Sequence, residues 1–430
     1  MSKIIRKTRS VCPVCLENLP ARLVERENSE LWIERTCDRH GTFSAPVWRG
    51  KLNFETWCSA AGPMDAGEGE HCPQNCGICA QHQIGTCCAL LEVCSLCNLH
   101  CRFCFANGGE EQIQPDMDSL KAAVDDIVRQ CGNPLLQLSG GEPSLRDDLP
   151  ELIAYAKQAG CSYVQLNTNG IRLADDPEYA ARLAESGLDI VFLQFDGTRD
   201  DIYTFLRGKP LLEKKLEAIR VCSNLRLGVT LVPTVVRGVN TDDLGNIVKL
   251  ASELSPAVRG VHFQPVSFFG RFPQVPDAQQ RYTLDELMAD IGHQANIPLQ
   301  SFMPSRCDHP LCGFHANFLI EPKGGLKPLS SFAHSSAKRG CETDNREYVA
   351  RHWIRQPEES APASAFTDEM DFDTFLYRLR HCSLTLSAMA FQDAMNLNIE
   401  RLRSCSLHVY NKGKIMPFCA NYLSPMEDLI

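Results

Sequence analysis

The stretch that decides the fold begins with Ala89-Leu90-Leu91-Glu92-Val93 and continues into Cys97-Asn98-Leu99-His100-Cys101-Arg102-Phe103-Cys104. It resumes at Leu135-Leu136-Gln137-Leu138, which runs straight into Ser139-Gly140-Gly141-Glu142-Pro143. Both apolar runs have strand length. Between them stand three cysteines at x3 and x2 spacing, residue types that bind soft metals. The paired glycines let a ligand approach the backbone closely where the second strand ends.

Reading outward, the chain alternates. Asp148 to Ala159 has helical periodicity and Tyr163 to Asn167 reads as a strand. Pro177 to Ser186 is helical, with Pro near its start and Gly187 just past its end. Ile190 to Phe195 is a strand, Leu211 to Ser223 a helix, Arg226 to Pro233 a strand, Leu244 to Leu254 a helix and Val261 to Pro265 a strand. Six strand–helix units of this kind imply an α/β fold with a parallel sheet curled into a partial (β/α)6 barrel. Ligands of such sheets lie at the C-terminal ends of the strands. Cys97, Gly140, Asn167, Asp196 and Thr234 fall at those ends, although Asn167 and Thr168 equally suit an ordinary strand-end turn.

The composition limits what such a site can serve. The chain has 430 residues, 22 cysteines and a net charge of −10. That balance argues against non-specific nucleic-acid binding, which needs a basic face. No run approaches the ~20 apolar residues of a membrane span. The basic N-terminus, MSKIIRKTRS, has no apolar core and no cleavage site of a secretory signal. These features place the chain in the cytoplasm, where thiols stay reduced and clustered cysteines read as metal ligands. Cys131, Cys161, Cys222 and Cys382 sit in or beside apolar-periodic segments and read as small buried hydrophobes.

Two further groups have ligand spacing. Cys12-Pro13-Val14-Cys15 and Cys37-Asp38-Arg39-His40 flank a strand at Leu31 to Arg35. Four soft or borderline ligands form a knuckle for tetrahedral Zn²⁺ or a single iron, with no position left open. Cys72, Cys76 and Cys79 can cap three corners of an iron–sulfur cube, or bind zinc. Cys87, Cys88 or a distant residue would complete that set.

The order strand, CxxxCxxC loop, helix, strand, GGEP resembles the radical S-adenosylmethionine (SAM) superfamily. The resemblance implies that Cys97, Cys101 and Cys104 are the catalytic ligands of a 4Fe–4S cluster with one iron open to SAM. It implies that Gly140, Gly141 and Glu142 line the methionyl amino group, with Asn167, Thr168 and Asp196 as further cofactor contacts. Reductive cleavage of SAM to a 5′-deoxyadenosyl radical follows, fed by a low-potential donor such as ferredoxin or flavodoxin. The outer motifs, CPxC…CxxH, CPxxCGxC, TCCxLLEV, Cys405-Ser406-Leu407-His408 and Met416-Pro417-Phe418-Cys419, resemble the radical SAM (seleno)protein TrsS family. That family is related to radical SAM pterin methylases and archaeal tetraether lipid synthases. The likeness implies one or two auxiliary 4Fe–4S clusters, one of them on Cys307, Cys312, Cys405 and Cys419, with Cys341 an alternative ligand. Relatives carry Thr-x-Arg before the first cluster cysteine, where this chain has Cys94-Ser95-Leu96, so Cys94 reads as a buried thiol in place of Thr.

The expected organisation is a metal knuckle at 1–57, a cysteine-rich auxiliary-cluster segment at 58–88, the barrel at 89–268 and a C-terminal auxiliary-cluster and substrate-capping region at 269–430. In the last, Leu284 to Gly292 and Phe372 to Arg380 read as helices, and hairpins surround Glu321 to Gly325 and Asn411 to Lys414. Pro357 to Thr367 reads as a linker or surface loop. His309, His315 and His334 are candidate acid–base groups or ordinary loop histidines. The expected reaction is C–H functionalisation, by methylation or C–C bond formation, of a small or lipid-like substrate. The rivals are modification of a peptide or partner protein, and an electron-transfer scaffold without catalysis. The oligomeric state is not legible.

Overall fold

The computed structural model describes residues 3–59, 72–73, 77–109, 114–305, 307–331, 341–357, 359–362 and 371–426. The chain opens with a four-stranded antiparallel sheet: β1 (Lys3–Val11), β2 (Asn18–Glu25), β3 (Leu31–Cys37) and β4 (Gly41–Trp48). A short helix, α1 (Phe54–Ser59), follows. Strand–helix alternation then begins with β5 (Cys88–Cys94), α2 (Met117–Cys131), β6 (Leu135–Gly140), α3 (Leu149–Ala159) and β7 (Tyr163–Thr168). It continues through α4 (Ile171–Asp175), α5 (Pro177–Glu185), β8 (Ile190–Gln194), α6 (Asp200–Arg207), α7 (Leu212–Asn224) and β9 (Gly228–Val232). A two-residue β10 (Thr234–Val235), α8 (Leu244–Glu253) and β11 (Val258–Pro265) complete this part. Strands β5, β6, β7, β8, β9 and β11 lie side by side and parallel, which is the expected partial barrel.

Alternation along each strand sorts the side chains. Ala89, Leu91, Val93, Leu136, Leu138, Val164, Leu166, Val191, Leu193, Val229 and Leu231 share one apolar core with the helices outside. The alternate positions, among them Gln137, Ser139, Gln165, Asn167, Phe192, Gln194, Thr230, His262 and Gln264, take the inner face. An aliphatic inner face would pack shut, whereas this one supplies hydrogen-bonding groups at the strand ends.

The C-terminal region extends the barrel. After α9 (Leu284–Gln294) come β12 (Met303–Pro304), β13 (Gly313–Ile320), β14 (Leu326–Pro328), α10 (Glu342–Trp353), α11 (Phe372–His381), β15 (Ser383–Met389), α12 (Ile399–Arg403), β16 (Leu407–Asn411), β17 (Lys414–Pro417) and α13 (Phe418–Asn421). β15 pairs parallel with β11, and β16 pairs parallel with β5. Residues expected as a separate capping region therefore add strands to both edges of the barrel sheet. The hairpin around Glu321 to Gly325 forms as read, but β13 continues the sheet beyond β15. Trp353 of α10 packs with Cys88, Leu135, Ile190, Phe192 and Val232, so this helix fills the end of the barrel opposite the cysteine loop.

A buried ion pair and hydrogen bonds to backbone carbonyls tie the additions to the barrel. Arg281 donates to both oxygens of Asp393 at 2.9 Å, with the Asp393 side chain fully buried, and Phe268 N–H also donates to Asp393. Arg35 of β3 reaches Ala394 O at 2.9 Å, and Met426 N–H reaches Pro13 O, so the N-terminal sheet docks on the segment after β15. Among the described residues no helix is long and apolar enough to cross a membrane. Removing one partner of a buried pair strands the other charge. Asp393→Ala is therefore expected to lower unfolding stability by about 3–5 kcal/mol, read as a lower urea midpoint.

Candidate functional site

The three cysteines of the central loop meet the Gly-Gly-Glu turn at one cavity of ≈ 200 Å³, also lined by Asn167, Thr168, Gln194, Arg207, Thr234 and Gln264. Backbone contact sets this arrangement. Gly141 N–H donates to Cys94 O at 2.7 Å and Glu142 N–H to Leu96 O at 2.8 Å. A Cβ on Gly140 would stand 2.2 Å from Cys94 O, and one on Gly141 would stand 2.2 Å from Leu96 O. The glycines thus admit the neighbouring loop backbone, where the sequence suggested a ligand. Gly140 also has φ +124°, which disfavours any side chain.

Glu142 is 2% exposed, and its carboxylate joins two strand ends. It accepts from Ser144 N–H (3.1 Å), Ser144 Oγ (2.7 Å), Thr168 Oγ1 (2.6 Å) and Asn169 N–H (2.7 Å). The Thr168-Asn169 turn is thereby fixed to the Gly-Gly-Glu turn. Asn169 Nδ2 donates to Asn98 Oδ1 at 2.7 Å, which joins the turn to the cysteine loop. Asn167 lines the cavity and accepts from Gln165. Asp196 does not line it. Its fully buried carboxylate receives Arg207 Nε at 2.7 Å, Arg207 Nη2 at 2.6 Å and Thr234 N–H at 3.1 Å. The strand-end position was read correctly, but the pairing turns Asp196 inward and presents Arg207 to the cavity.

Arg271 was not singled out in the sequence, because it lies far along the chain from the loop it holds. Its backbone exchanges two hydrogen bonds with Cys104, each 2.9 Å. Its guanidinium donates to Cys101 O (2.9 Å) and Gly108 O (3.1 Å). Cys94 is a buried thiol aimed at Leu96 O, with burial pushing its pKa up to about 11.

The thiols themselves test the fit of a cluster. Burial pushes Cys97 up to about 12, partly opposed by the Leu99 N–H, and raises Cys104 against the Gly108 N–H. Buried thiols of this kind ionise when a metal takes them as ligands. Three cysteines on one loop, with backbone N–H groups beside two of the sulfurs, fit an iron–sulfur cluster with three protein ligands.

Two other groups have different geometry. The ligand atoms of Cys12, Cys15, Cys37 and His40 all lie within 4.8 Å of one another, which suits one tetrahedral ion. Burial raises the Cys12 thiol. Burial acts upward on Cys37 too, but N–H groups of Arg39 and His40 and the His40 ring bring it down to about 7. Cys312, Cys405 and Cys419 converge on a second cavity behind Phe391, which lines both cavities. Arg401 Nε donates to Cys312 Sγ at 3.4 Å and Gln392 N–H to Cys419 Sγ at 3.2 Å. The space between these thiols is ≈ 20 Å³, room for about one water, so a cubane there requires the thiols to spread. Cys307 is buried but does not line this cavity. Cys72 shares an apolar cluster with Cys419, Cys79 is exposed, and Cys76 lies outside the described residues, as does His334. Cys87 and Cys88 lie at the far end of β5, where Asn345 donates to Cys87 Sγ. Cys341 is exposed at the start of α10. His309 is buried and accepts from Leu311 N–H, and His315 packs on Tyr348.

A parallel partial barrel whose strand ends press a CxxxCxxC loop onto a Gly-Gly-Glu turn has the build of a radical SAM enzyme. Comparison with known families agrees: residues 91–251 match the Radical SAM superfamily, and residues 4–49 match the HMPTM N-terminal zinc ribbon domain. The 7,8-dihydro-6-hydroxymethylpterin dimethyltransferase of Methanocaldococcus jannaschii is 30% identical over 96% of this chain and 92% of its own length. Fe-coproporphyrin III synthase of Methanosarcina barkeri is 34% identical over 36% of this chain and 39% of its own. Mycofactocin maturase MftC of Mycolicibacterium smegmatis is 29% identical over 47% of this chain and 52% of its own. The chain belongs to the radical SAM superfamily and, within it, to the family that includes the pterin dimethyltransferase.

A methyl group on Gly141 would force the loop and the turn apart. Gly141→Ala is expected to slow SAM cleavage about 100-fold, the order of loss from a small misplacement of reacting groups. Gly109→Ala, which meets open space, is expected to stay within a factor of two or so of the parent. The rate of 5′-deoxyadenosine release reads both.

Proposed function

We propose that the chain cleaves SAM at a 4Fe–4S cluster held by Cys97, Cys101 and Cys104 and functionalises a C–H bond of a small, neutral ring compound such as a reduced pterin. Methylation or C–C bond formation is the outcome. When bound, the cluster and SAM supply a primary carbon radical that takes a hydrogen atom from substrate. The observation that carries the reading is the cavity wall. It combines Ser139, Asn167, Gln194, Thr234 and Gln264 with Phe103, Phe105, Phe192, Phe269 and Phe391. Neutral hydrogen-bonding groups face aromatic rings, which suits a planar heterocycle. The charged lining residues are Glu142 and Arg207, and Arg207 is paired with Asp196, so among the described lining residues no unpaired cation awaits a polyphosphate.

The protein's part is placement. Glu142 is immobilised by four donors, three on Oε1 and one on Oε2, and would hold the methionyl amino group of SAM when it binds. Gly140 and Gly141 hold the cysteine loop, and Asn167 and Thr168, which line the same cavity, would contact the cofactor. The aromatic wall keeps the reacting atoms away from bulk solvent. A cavity of ≈ 200 Å³ suits one ring better than a peptide segment, the substrate of the competing maturase reading. Cys12, Cys15, Cys37 and His40 hold zinc or a single iron. Cys312, Cys405 and Cys419, with Cys307 in reserve, and the Cys72, Cys76 and Cys79 group hold auxiliary clusters. The outer motifs favour the TrsS branch of the family. A low-potential carrier such as ferredoxin or flavodoxin supplies the electron.

The test uses the anaerobically reconstituted full chain with reductant and SAM. It is expected to release 5′-deoxyadenosine, and Cys101→Ala is expected to abolish release while retaining the other metal sites. Three cubanes would give about twelve irons per chain, plus one if the knuckle binds iron. Deuterium passing from a ring-labelled pterin into 5′-deoxyadenosine would support the substrate class, and transfer from a peptide instead would replace it. Absence of 5′-deoxyadenosine with intact clusters would overturn the reading.

A further inference from the structure

We propose that Arg401 is the counter-charge of the auxiliary metal centre held by Cys312, Cys405 and Cys419, and that by donating to the Cys312 sulfur it raises that centre's reduction potential. The inference rests on the assignment of those three thiols to a cluster. Its physical basis is a buried guanidinium that faces a sulfur where such a group ordinarily faces a carboxylate.

Arg401 belongs to α12, is 4% exposed and lines one cavity with all three thiols. Its planar fork is fixed at two points. Nε donates to Cys312 Sγ at 3.4 Å, and Nη2 donates to Ala390 O. Ala390 N–H donates in turn to Cys312 O at 2.7 Å. Guanidinium, Ala390 and Cys312 thus close a ring that holds the cysteine beside its donor. The helix is anchored to the same segment. Arg401 N–H donates to Asn398 O at 3.1 Å, and Asn398 N–H donates to Gln392 Oε1 at 2.7 Å. Thr8 of β1 donates to Asn398 Oδ1 at 3.0 Å. Gln392 N–H itself donates to Cys419 Sγ at 3.2 Å. One stretch of chain therefore supplies a charged donor to Cys312 and a neutral one to Cys419. The Cys405 thiol donates to Leu407 O at 3.0 Å, a proton that metal binding releases.

N–H donors aimed at sulfurs suit thiolates better than thiols, because charge on the acceptor strengthens the bond. The charge balance agrees. A buried guanidinium is costly unless paired, and it does not deprotonate. Among the described residues that line the cavity, Arg401 is the one cation. The acids around it are engaged elsewhere. Asp308 lines the same cavity, but it accepts from Ser406 N–H and Ser406 Oγ at 2.8 Å and from Ser305 Oγ at 2.9 Å. Glu400 pairs with Arg6 at 3.0 Å, and Asp393 with Arg281 at 2.9 Å. Metal-bound thiolates supply the balancing negative charge, and neutral thiols do not. Hydrogen bonds to the sulfurs and nearby charge are the protein's means of setting cluster potentials. A positive donor favours the reduced, more negative centre and makes an electron easier to accept.

The test is a potentiometric titration of the anaerobically reconstituted full chain, followed by electron paramagnetic resonance. The signal absent from Cys419→Ala identifies the centre. Arg401→Met is expected to shift its midpoint to a more negative potential, with Arg401→Lys in between and the central-loop cluster unmoved. An unchanged midpoint in both variants would overturn the inference and leave Arg401 an anchor of α12 alone. Wild-type protein labelled with [15N]arginine needs no variant to fold. A 15N coupling to the reduced centre supports the bond, and its absence overturns it. A wild-type chain that builds the central-loop cluster but no centre on these thiols would instead remove the assignment on which the inference rests.

Discussion

The site depends on a backbone contact: Gly141 N–H on Cys94 O and Glu142 N–H on Leu96 O. These bonds join the ends of two adjacent parallel strands where one begins the cysteine loop and the other begins the Gly-Gly-Glu turn. They exist because neither glycine has a Cβ to hold the chains apart. The contact sets the distance between the thiols and Glu142. Glu142 then fixes Thr168 and Asn169 on the next strand end, and Asn169 returns to Asn98 on the loop. A closed ring of hydrogen bonds is more rigid than its separate members, and a rigid cradle is what positioning a reactive radical requires.

The rest of the chain is arranged about this ring. Arg271 clamps the loop from the segment after β11. Arg281 and Asp393 then join that segment to the one carrying Phe391. Phe391 lines both the cavity of the central cysteine loop and that of Cys312, Cys405 and Cys419, stacking on Phe418 at 4.3 Å. The N-terminal ribbon docks on the same segment through Arg35, and through an Arg6–Glu400 pair at 3.0 Å. Ribbon, barrel and C-terminal strands thus meet at the segment that follows β15.

Much of this was legible because its determinants are local. Period-two and period-3.6 patterns gave the barrel strands and most of its helices within a few residues. Close cysteine spacing gave the knuckle, whose four ligands do converge, and the central loop. Features built from long-range partners were not legible. Helix α6 is short and its buried Arg207 looks like any helical arginine until Asp196 is seen opposite. Asp196 sits at a strand end as read, yet its carboxylate is turned away by that same partner. Strand β15 and helix α10 follow a stretch of mixed composition, and their places come from pairing with β11 and from filling the barrel end. Cys312, Cys405 and Cys419 meet across about a hundred residues of chain, a convergence that spacing cannot encode and that the family likeness alone suggested.

The central claim is that the loop of Cys97, Cys101 and Cys104 holds a cluster with one iron left for SAM, beside Glu142. Electron–nuclear double resonance on the reduced, reconstituted chain, with SAM carrying 17O in its methionyl carboxylate, tests it most directly. A 17O coupling to this cluster, lost in Cys101→Ala, is expected. A reduced cluster that shows no 17O coupling and an unchanged signal on adding SAM would contradict the claim.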